Sequence, residues 1–371
     1  MKLLKKMLMI VLILVISIAG FAWYYINTPF FGKAASGARL ERMLQSPNYK
    51  DGAFQNLEET PQTVEGHSMA GVMWNFLFNK PDNIKPQGVL PVLKTDLASL
   101  SKAENQLVWL GHSTYYFTLN GLSYLVDPVF TRNASPIPKS NTAFDMSYNY
   151  TAADIPRVDV LIISHDHFDH LDYETVVAIK NKVGRVVCGL GVGAHFEHWG
   201  YAPEAITELD WHEAVSLDSR TQLTATPARH FSGRTFKRNA TLFCSYVLQS
   251  DSVKYFIGGD SGYGKHMADI GAKYGPFDWA ILENGQYNEA WRYIHTLPEE
   301  MPQVLSDLKA KNVLPVHSAK FALAMHDWKE PLQEVVKFNS ETFRIVTPQI
   351  GEVVRLNDST QTFTNWWEQL P

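Results

Sequence analysis

Within six residues, His165-Asp166-His167-Phe168-Asp169-His170, the chain carries three imidazoles and two carboxylates. Imidazole and carboxylate are the zinc ligands expected of a catalytic site, which keeps one coordination position open for water. The run follows Leu161-Ile-Ile-Ser164, the end of an apolar stretch that reads as a strand buried on both faces. A loop leaving such a strand can turn His165, His167, Asp169 and His170 towards one point. A helix would send residues two apart to different faces. A histidine-rich tag or solvated loop would need neither the interleaved carboxylate nor the strand before it. These residues predict a metal site.

Other elements must position that loop. Residues 107–110, 115–119 and 124–126 are short β-rich runs, and Asn120-Gly121 between the last two is a hairpin signal. Residues 158–163 form the buried strand, 173–182 show helical spacing, and 186–188 are strand-like. Later strands are expected at 222–226, 242–248, 254–257, 279–282 and 313–316. Helices are expected at 264–274, 298–310 and 320–328. Pro298 followed by Glu299 and Glu300 suits a helix N-terminus, where proline costs little and acids complement the dipole. Many short strands interleaved with helices predict an α+β chain of packed sheets with helices outside.

The N-terminus reads separately. Lys2, Lys5 and Lys6 precede an uncharged stretch from Met7 to Ile26. About twenty helical residues span roughly 30 Å, the thickness of a bilayer's hydrocarbon core. Trp23, Tyr24 and Tyr25 stand where an interfacial aromatic belt would lie. The apolar run exceeds a signal peptide's h-region, so residues 1–26 are read as an uncleaved signal-anchor transmembrane helix. The lysines before it leave the N-terminus cytoplasmic and the large domain on the extracytoplasmic, periplasmic side. Residues 27–96 read as a linker and packing segment, and residues 97–371 as the main domain.

Composition narrows the function classes. The 371 residues are 45% hydrophobic and 19% charged, enough for a sizeable core, and the net charge of −5 offers no general attraction for nucleic acid. Cys188 and Cys244 lie in apolar runs and read as small buried hydrophobes.

The metal motif resembles the loop of the metallo-β-lactamase superfamily, matched in order by His165, His167, Asp169 and His170. The resemblance implies a four-layer αββα sandwich. It also implies that His165 and His167 serve one zinc, and that Asp169 and His170 serve the other. Thr226-Pro-Ala-Arg-His230 resembles the segment with the third histidine of the first zinc. Phe256-Ile-Gly-Gly-Asp260 resembles the strand-end aspartate that bridges both metals, and Leu314-Pro-Val-His317 resembles the last histidine of the second. The cofactor expected is two Zn2+ per chain, with iron or manganese able to use the same ligands. Two divalent ions about 3.5–4 Å apart can share a hydroxide available near neutral pH, so no serine or cysteine nucleophile is needed. Asp260 offsets metal–metal repulsion and can take the proton; Asp169 and Asp260 are the expected catalytic carboxylates.

Further motifs resemble the N-acylphosphatidylethanolamine-hydrolysing phospholipase D group and its bacterial relatives: Leu107-Val-Trp-Leu-Gly-His-Ser-Thr114, Asp127-Pro-Val-Phe130, Glu208-Leu-Asp-Trp211 and Gly259-Asp-Ser-Gly-Tyr263. The similarity spans about residues 107–356. It implies a histidine near the scissile phosphate, matched by His295 in Tyr293-Ile-His295, which would steady a phosphoryl oxygen or protonate the leaving group. The bland alternative is a polar residue capping the helix at Pro298. Tyr287 and Lys320, in segments that border the cleft and depart from the family's pattern, are the other expected substrate contacts. Lys320 reads equally as a solvated lysine at a helix start. His112 reads as a structural or supporting imidazole, and Asp127 as orienting a metal ligand. His195, His198, His212, His266 and His326 read as surface or core polar residues.

The resulting expectation is a membrane-anchored phosphodiesterase acting on N-acylphosphatidylethanolamine-like lipids. A lactonase or other small-molecule metallo-hydrolase is the enzymatic alternative, and an envelope scaffold or binding protein the non-enzymatic one. Expected partners are a membrane phospholipid or small-molecule substrate and the membrane, with no nucleic acid. Oligomeric state is left open, a homodimer included.

Overall fold

Residues 1–370 are described by a computed structural model. The chain starts with α1 (Lys2–Ile26), a helix long and apolar enough to cross a membrane. The segment after it holds α2 (Ala38–Gln45), the two-stranded hairpin β1 (Tyr49–Lys50) and β2 (Ala53–Phe54), and α3 (Met69–Phe78). Within the segment read from sequence as linker and packing, residues 69–78 form the helix α3. Its N-terminus is capped by Ser68, whose hydroxyl accepts from the Gly71 N–H.

Two seven-stranded sheets follow. The first contains β3 (Gln106–Trp109), β4 (Tyr115–Leu119), β5 (Leu122–Val126), β6 (Val158–Ile163), β7 (Val183–Gly189) and β8 (Ile206–Leu209) in that spatial order. The second contains β9 (Ala214–Ser216), β10 (Thr221–Pro227), β11 (Cys244–Ser250), β12 (Val253–Ile257), β13 (Phe277–Glu283), β14 (Ala310–Val316) and β15 (Arg344–Ile345). The final strand, β16 (Val353–Arg355), returns to pair antiparallel with β3 and completes the first sheet. Each sheet is antiparallel in one half and parallel in the other, with β5–β8 and β12–β15 forming the parallel halves. Asn120 and Gly121 join β4 to β5 with positive φ at both residues (49° and 92°), the conformation an Asn-Gly hairpin turn requires.

The apolar strands are apolar on both faces because each face meets a different layer. Along β6, Val160 and Ile162 point between the sheets, where they join Trp109, Phe117, Tyr246 and Trp279. Leu161 and Ile163 point the other way, against Val176 and Ile179 of α4 (Tyr173–Ile179) and Phe196 of α5 (Gly193–His198). The second sheet repeats this logic. Phe256, Leu282 and Val313 face Met267 and Ile270 of α6 (Lys265–Lys273), Leu305 and Leu308 of α7 (Met301–Leu308), and Val335 of α8 (Glu330–Val335). Fully burying one such aliphatic or aromatic side chain contributes about 1.5–3 kcal/mol. The four layers are therefore helix, sheet, sheet, helix, and Cys188 and Cys244 are buried free thiols within them.

One expected helix is absent. Residues 320–328 run without helical structure, and α8 begins only at Glu330. The cause is a side chain that captures the backbone: Gln286 Oε1 accepts from the Leu323 and Ala324 N–H groups, while its Nε2 donates to the Phe321 carbonyl. Ala319 at φ 59° turns the chain just before them. Amide groups bound this way are not available to an i→i−4 ladder.

Candidate metal centre and active site

The pairing directions bring the C-terminal ends of β3, β6, β10, β12, β13 and β14 to one edge of the sandwich. Immediately beyond those ends lie His112, the 165–170 loop, His230, Asp260 and His317, while Glu283 closes β13 itself. The backbone is strained there. His112, Asp127, Gln286 and His317 all adopt positive φ, at 52°, 40°, 62° and 66°. Each such non-glycine residue costs of order 1 kcal/mol or more and persists only where its surroundings over-determine it. Gly259 has φ 60°, and a Cβ there would stand 2.7 Å from the Ser164 Cβ. Only glycine lets β12 approach the base of the metal loop closely enough to deliver Asp260.

Two groups of side chains converge. His165, His167 and His230 place ring nitrogens within 4.8 Å of one another, and a carboxylate oxygen of Asp169 gathers equally closely with ring nitrogens of His112, His170 and His317. Asp260 stands between the groups. Its Oδ2 lies 3.9 and 3.8 Å from Nε2 of His165 and His230, and 3.2 Å from Nε2 of both His170 and His317. One carboxylate thus faces two imidazoles from each set, the place a shared ligand would occupy.

Most of these rings are held from behind. His165 Nδ1 is 3.0 Å from the Ser164 hydroxyl, which donates to Asp127 Oδ2, and His170 Nδ1 is 2.9 Å from the same carboxylate oxygen. His230 Nδ1 is 2.8 Å from the Ile294 carbonyl and His317 Nδ1 is 3.1 Å from that of Gly285. Such partners fix the tautomer and aim Nε2 at the centre. Asp127 therefore holds the His170 ring and, through Ser164, the His165 ring. His112 Nε2 reaches Asp169 Oδ2 at 3.0 Å and holds that carboxylate in turn.

The donor set fits divalent cations on its own chemistry. Nε2 of His170, Nε2 of His317 and Oδ1 of Asp260 are buried with no hydrogen-bond partner, and buried polar atoms normally have one. Burial holds His165 and His230 well below the usual imidazole value, which keeps both neutral, the form that ligates. Against burial, which lowers them, Asp260 and Asp169 raise His170 well above that value, and Asp260, Asp169 and Glu283 raise His317 to about 10. The carboxylates thus demand positive charge where the ring nitrogens converge. Divalent cations satisfy both demands.

A cavity of about 340 Å³ opens over this centre. Its floor is His167, Asp169, His230, Asp260, His295 and His317, and one wall is Met69, Val72, Met73 and Phe76 of α3. Phe231, Trp291, Ile294 and Leu323 extend the apolar lining, and Arg238 is the only arginine or lysine among the described lining residues.

The sequence profile described as the beta-lactamase superfamily domain matches residues 123–318, more than half the chain. The chain belongs to the β-lactamase superfamily. It is a metallo-hydrolase of that superfamily, with clustered histidines and aspartates for metal. An uncharacterised protein of Mycobacterium tuberculosis is 36% identical over 297 residues, 79% of each chain. The mitochondrial N-acyl-phosphatidylethanolamine-hydrolyzing phospholipase D of Saccharomyces cerevisiae is 30% identical over 268 residues, 68% of this chain and 56% of that protein. Among solved structures, a possible metal-dependent hydrolase from Veillonella parvula superposes with a TM-score of 0.55 at 14% identity, covering 68% of this chain and 100% of that one. That likeness concerns the fold, which is the metallo-β-lactamase αββα sandwich.

In this β-lactamase superfamily member the seven expected metal ligands come together, and His295 lines the cavity beside them. Two expected substrate contacts do not. Lys320 is buried with its ammonium donating to the Val129 carbonyl at 2.6 Å, and burial pushes its pKa down to about 8. The turn at Ala319 sends this side chain inward instead of leaving it at a helix start. Tyr287 is buried outside the cavity lining, its hydroxyl donating to Glu330 Oε1 at 2.8 Å while its ring packs on His326. His195 is a core polar residue, as expected, and it ties two segments together. Its Nε2 lies 3.3 Å from Asp166, and its Nδ1 accepts the Lys33 N–H.

Sequence reasoning missed Glu283 and Arg238. Glu283 Oε2 is 2.6 Å from His295 Nδ1 and 3.4 Å from His317 Nδ1, and its Oε1 accepts from the Ser261 and Thr296 N–H groups. A carboxylate ending the apolar strand 279–282 was the available signal. Glu283→Gln should keep the fold, since it retains an acceptor for those amides, but misorient His295. We expect kcat on a substrate that the unaltered chain hydrolyses to fall about 10–100-fold with the melting temperature nearly unchanged. Unaltered kcat would show that the ring needs no carboxylate behind it.

Proposed function

We propose that this chain is a membrane-anchored two-zinc phosphodiesterase of the phospholipase D type, hydrolysing N-acylphosphatidylethanolamine-like lipids. The observation that carries this reading is the cavity itself: a metal-binding floor under an apolar wall fits a phosphodiester attached to hydrocarbon. The named activity of the yeast relative supports the same substrate class. The apolar helix α1 supports an anchor, and the lysines before it favour the extracytoplasmic side for the domain.

Residues His165, His167 and His230 would hold one cation and Asp169, His170 and His317 the other, with Asp260 between them. Cations held there would supply Lewis acidity and would make water nucleophilic near neutral pH. The chain's own residues do the rest. Arg238 offers a positive charge to the anionic diester at the cavity wall. Asp260 accepts the proton of the attacking water, and Asp169 stays oriented by His112. With Nδ1 engaged by Glu283, His295 presents Nε2 to the cavity and donates a proton to the departing alkoxide. The water oxygen bonds to phosphorus, the bond from phosphorus to the ethanolamine oxygen breaks, and phosphatidic acid and an N-acylethanolamine leave.

The test is product identification by mass spectrometry after incubating the purified full chain with vesicles containing N-acylphosphatidylethanolamine. Equimolar release of both products is expected. A chain that releases neither, yet hydrolyses simple lactones, would refute the lipid reading in favour of a small-molecule hydrolase.

A further inference from the structure

Single exposed apolar side chains are ordinary on a soluble surface, but several gathered around one opening mark an interaction site. Two segments flank the mouth of the metal cavity. On one side, α3 has no charged residue in its ten positions; its inner face lines the cavity, while Trp74 and Phe78 are 61% and 65% exposed with rings 4.5 Å apart. On the other side, the loop 231–238 begins with Phe231 and ends with Arg238, both in the cavity wall. At its tip Phe236 is 90% exposed, beside Lys237.

This loop is tied to the exit of α1. Arg234 donates to the Phe30 carbonyl as well as to those of Asp166 and Leu171, and its guanidinium lies 4.1 Å from the Phe168 ring centre. Phe30 stacks on that same Phe168 at 5.3 Å, so the residues leaving the anchor pack directly on the metal loop. Anchor exit, loop tip and cavity mouth are therefore contiguous. A bilayer that received α1 would lie at the mouth.

We propose that α3 and the Phe236 loop form a rim that rests in the membrane interface and seats the cavity mouth on the lipid surface. The proposal rests on the reading of α1 as an anchor and of the site as one that handles lipid. Ten helical residues span only about 15 Å, too short to cross the hydrocarbon core, so α3 lies along the interface. Tryptophan favours that depth, and Lys237, together with Lys80 stacked on Phe76 at 4.3 Å, places positive charge at the level of lipid phosphates. A substrate then moves from bilayer to cavity along the inner face of α3 without its chains crossing water.

The test uses the full chain reconstituted in phosphatidylcholine–phosphatidylglycerol vesicles with an environment-sensitive fluorophore on Phe236→Cys or Trp74→Cys. The native Cys188 and Cys244 are buried and leave the label site-specific. Glu341→Cys, exposed just ahead of β15 at the opposite pole of the sandwich, is the soluble control, and Tyr24→Cys reports the anchor. Shallow spin-labelled lipids should quench both rim positions about twofold or more, and leave Glu341→Cys unaffected. Quenching at either rim position no stronger than at the control overturns the proposal. So does a blue-shifted rim label that no lipid quencher reaches, which marks a protein-covered face such as a second copy. Loss at Tyr24→Cys as well condemns the anchor reading too. The readout needs no turnover, so its failure is separable from that of the proposed reaction.

Discussion

Asp260→Asn should leave a folded chain that binds less metal and turns over at least about 10³-fold more slowly. The substitution preserves volume and one acceptor oxygen but removes the charge that four imidazole nitrogens share within 3.9 Å. Two cations bound side by side would then repel each other without a carboxylate between them. The same charge raises His170 and His317 against burial, so its removal weakens both halves of the site together. Mass-spectrometric metal content, far-ultraviolet circular dichroism and kcat measured on one preparation separate loss of metal from loss of fold. Full metal content with normal turnover would disprove the bridging role.

Metal removal should have an effect of similar size on activity and a separate one on stability. Stripping by a chelator leaves the buried Nε2 atoms of His170 and His317 and Oδ1 of Asp260 without partners. A ligand present at a thousandfold excess over its Kd stabilises the native state by about 4 kcal/mol, which for a domain of this size is roughly 10 °C in melting temperature. Calorimetry before and after chelation, followed by return of zinc, manganese or iron, reads stability and activity together. An unchanged melting temperature would mean that the cluster is held by its protein contacts alone. The ion that restores turnover at the lowest concentration identifies the preferred metal.

The largest part of the centre was legible because ligation is a property of residue type and local spacing. His165, His167, Asp169 and His170 sit on one loop after one strand, whereas His230, Asp260 and His317 were reached through the resemblance of their segments to the metallo-β-lactamase superfamily. The layers were legible for a related reason. Strands such as 158–163 and 313–316 are apolar on both faces, which only a sheet covered on both sides accepts. Lys320 and Tyr287 were misplaced because nothing local states which way a side chain turns after a left-handed residue such as Ala319 or Gln286. The helix expected at 320–328 failed for the same kind of reason, since its amide groups are claimed by Gln286, more than thirty positions earlier.

The sequence by itself pointed to the histidine–aspartate cluster, the β-lactamase superfamily fold and the presence of an apolar N-terminal helix. Only the tertiary structure decided what surrounds that centre. Glu283 behind His295, Arg238 in the wall, α3 over the mouth and Phe30 against Phe168 are contacts between residues distant along the chain. Ligand identity is written in local chemistry. Substrate access depends on which distant surfaces the closing of the sandwich brings together.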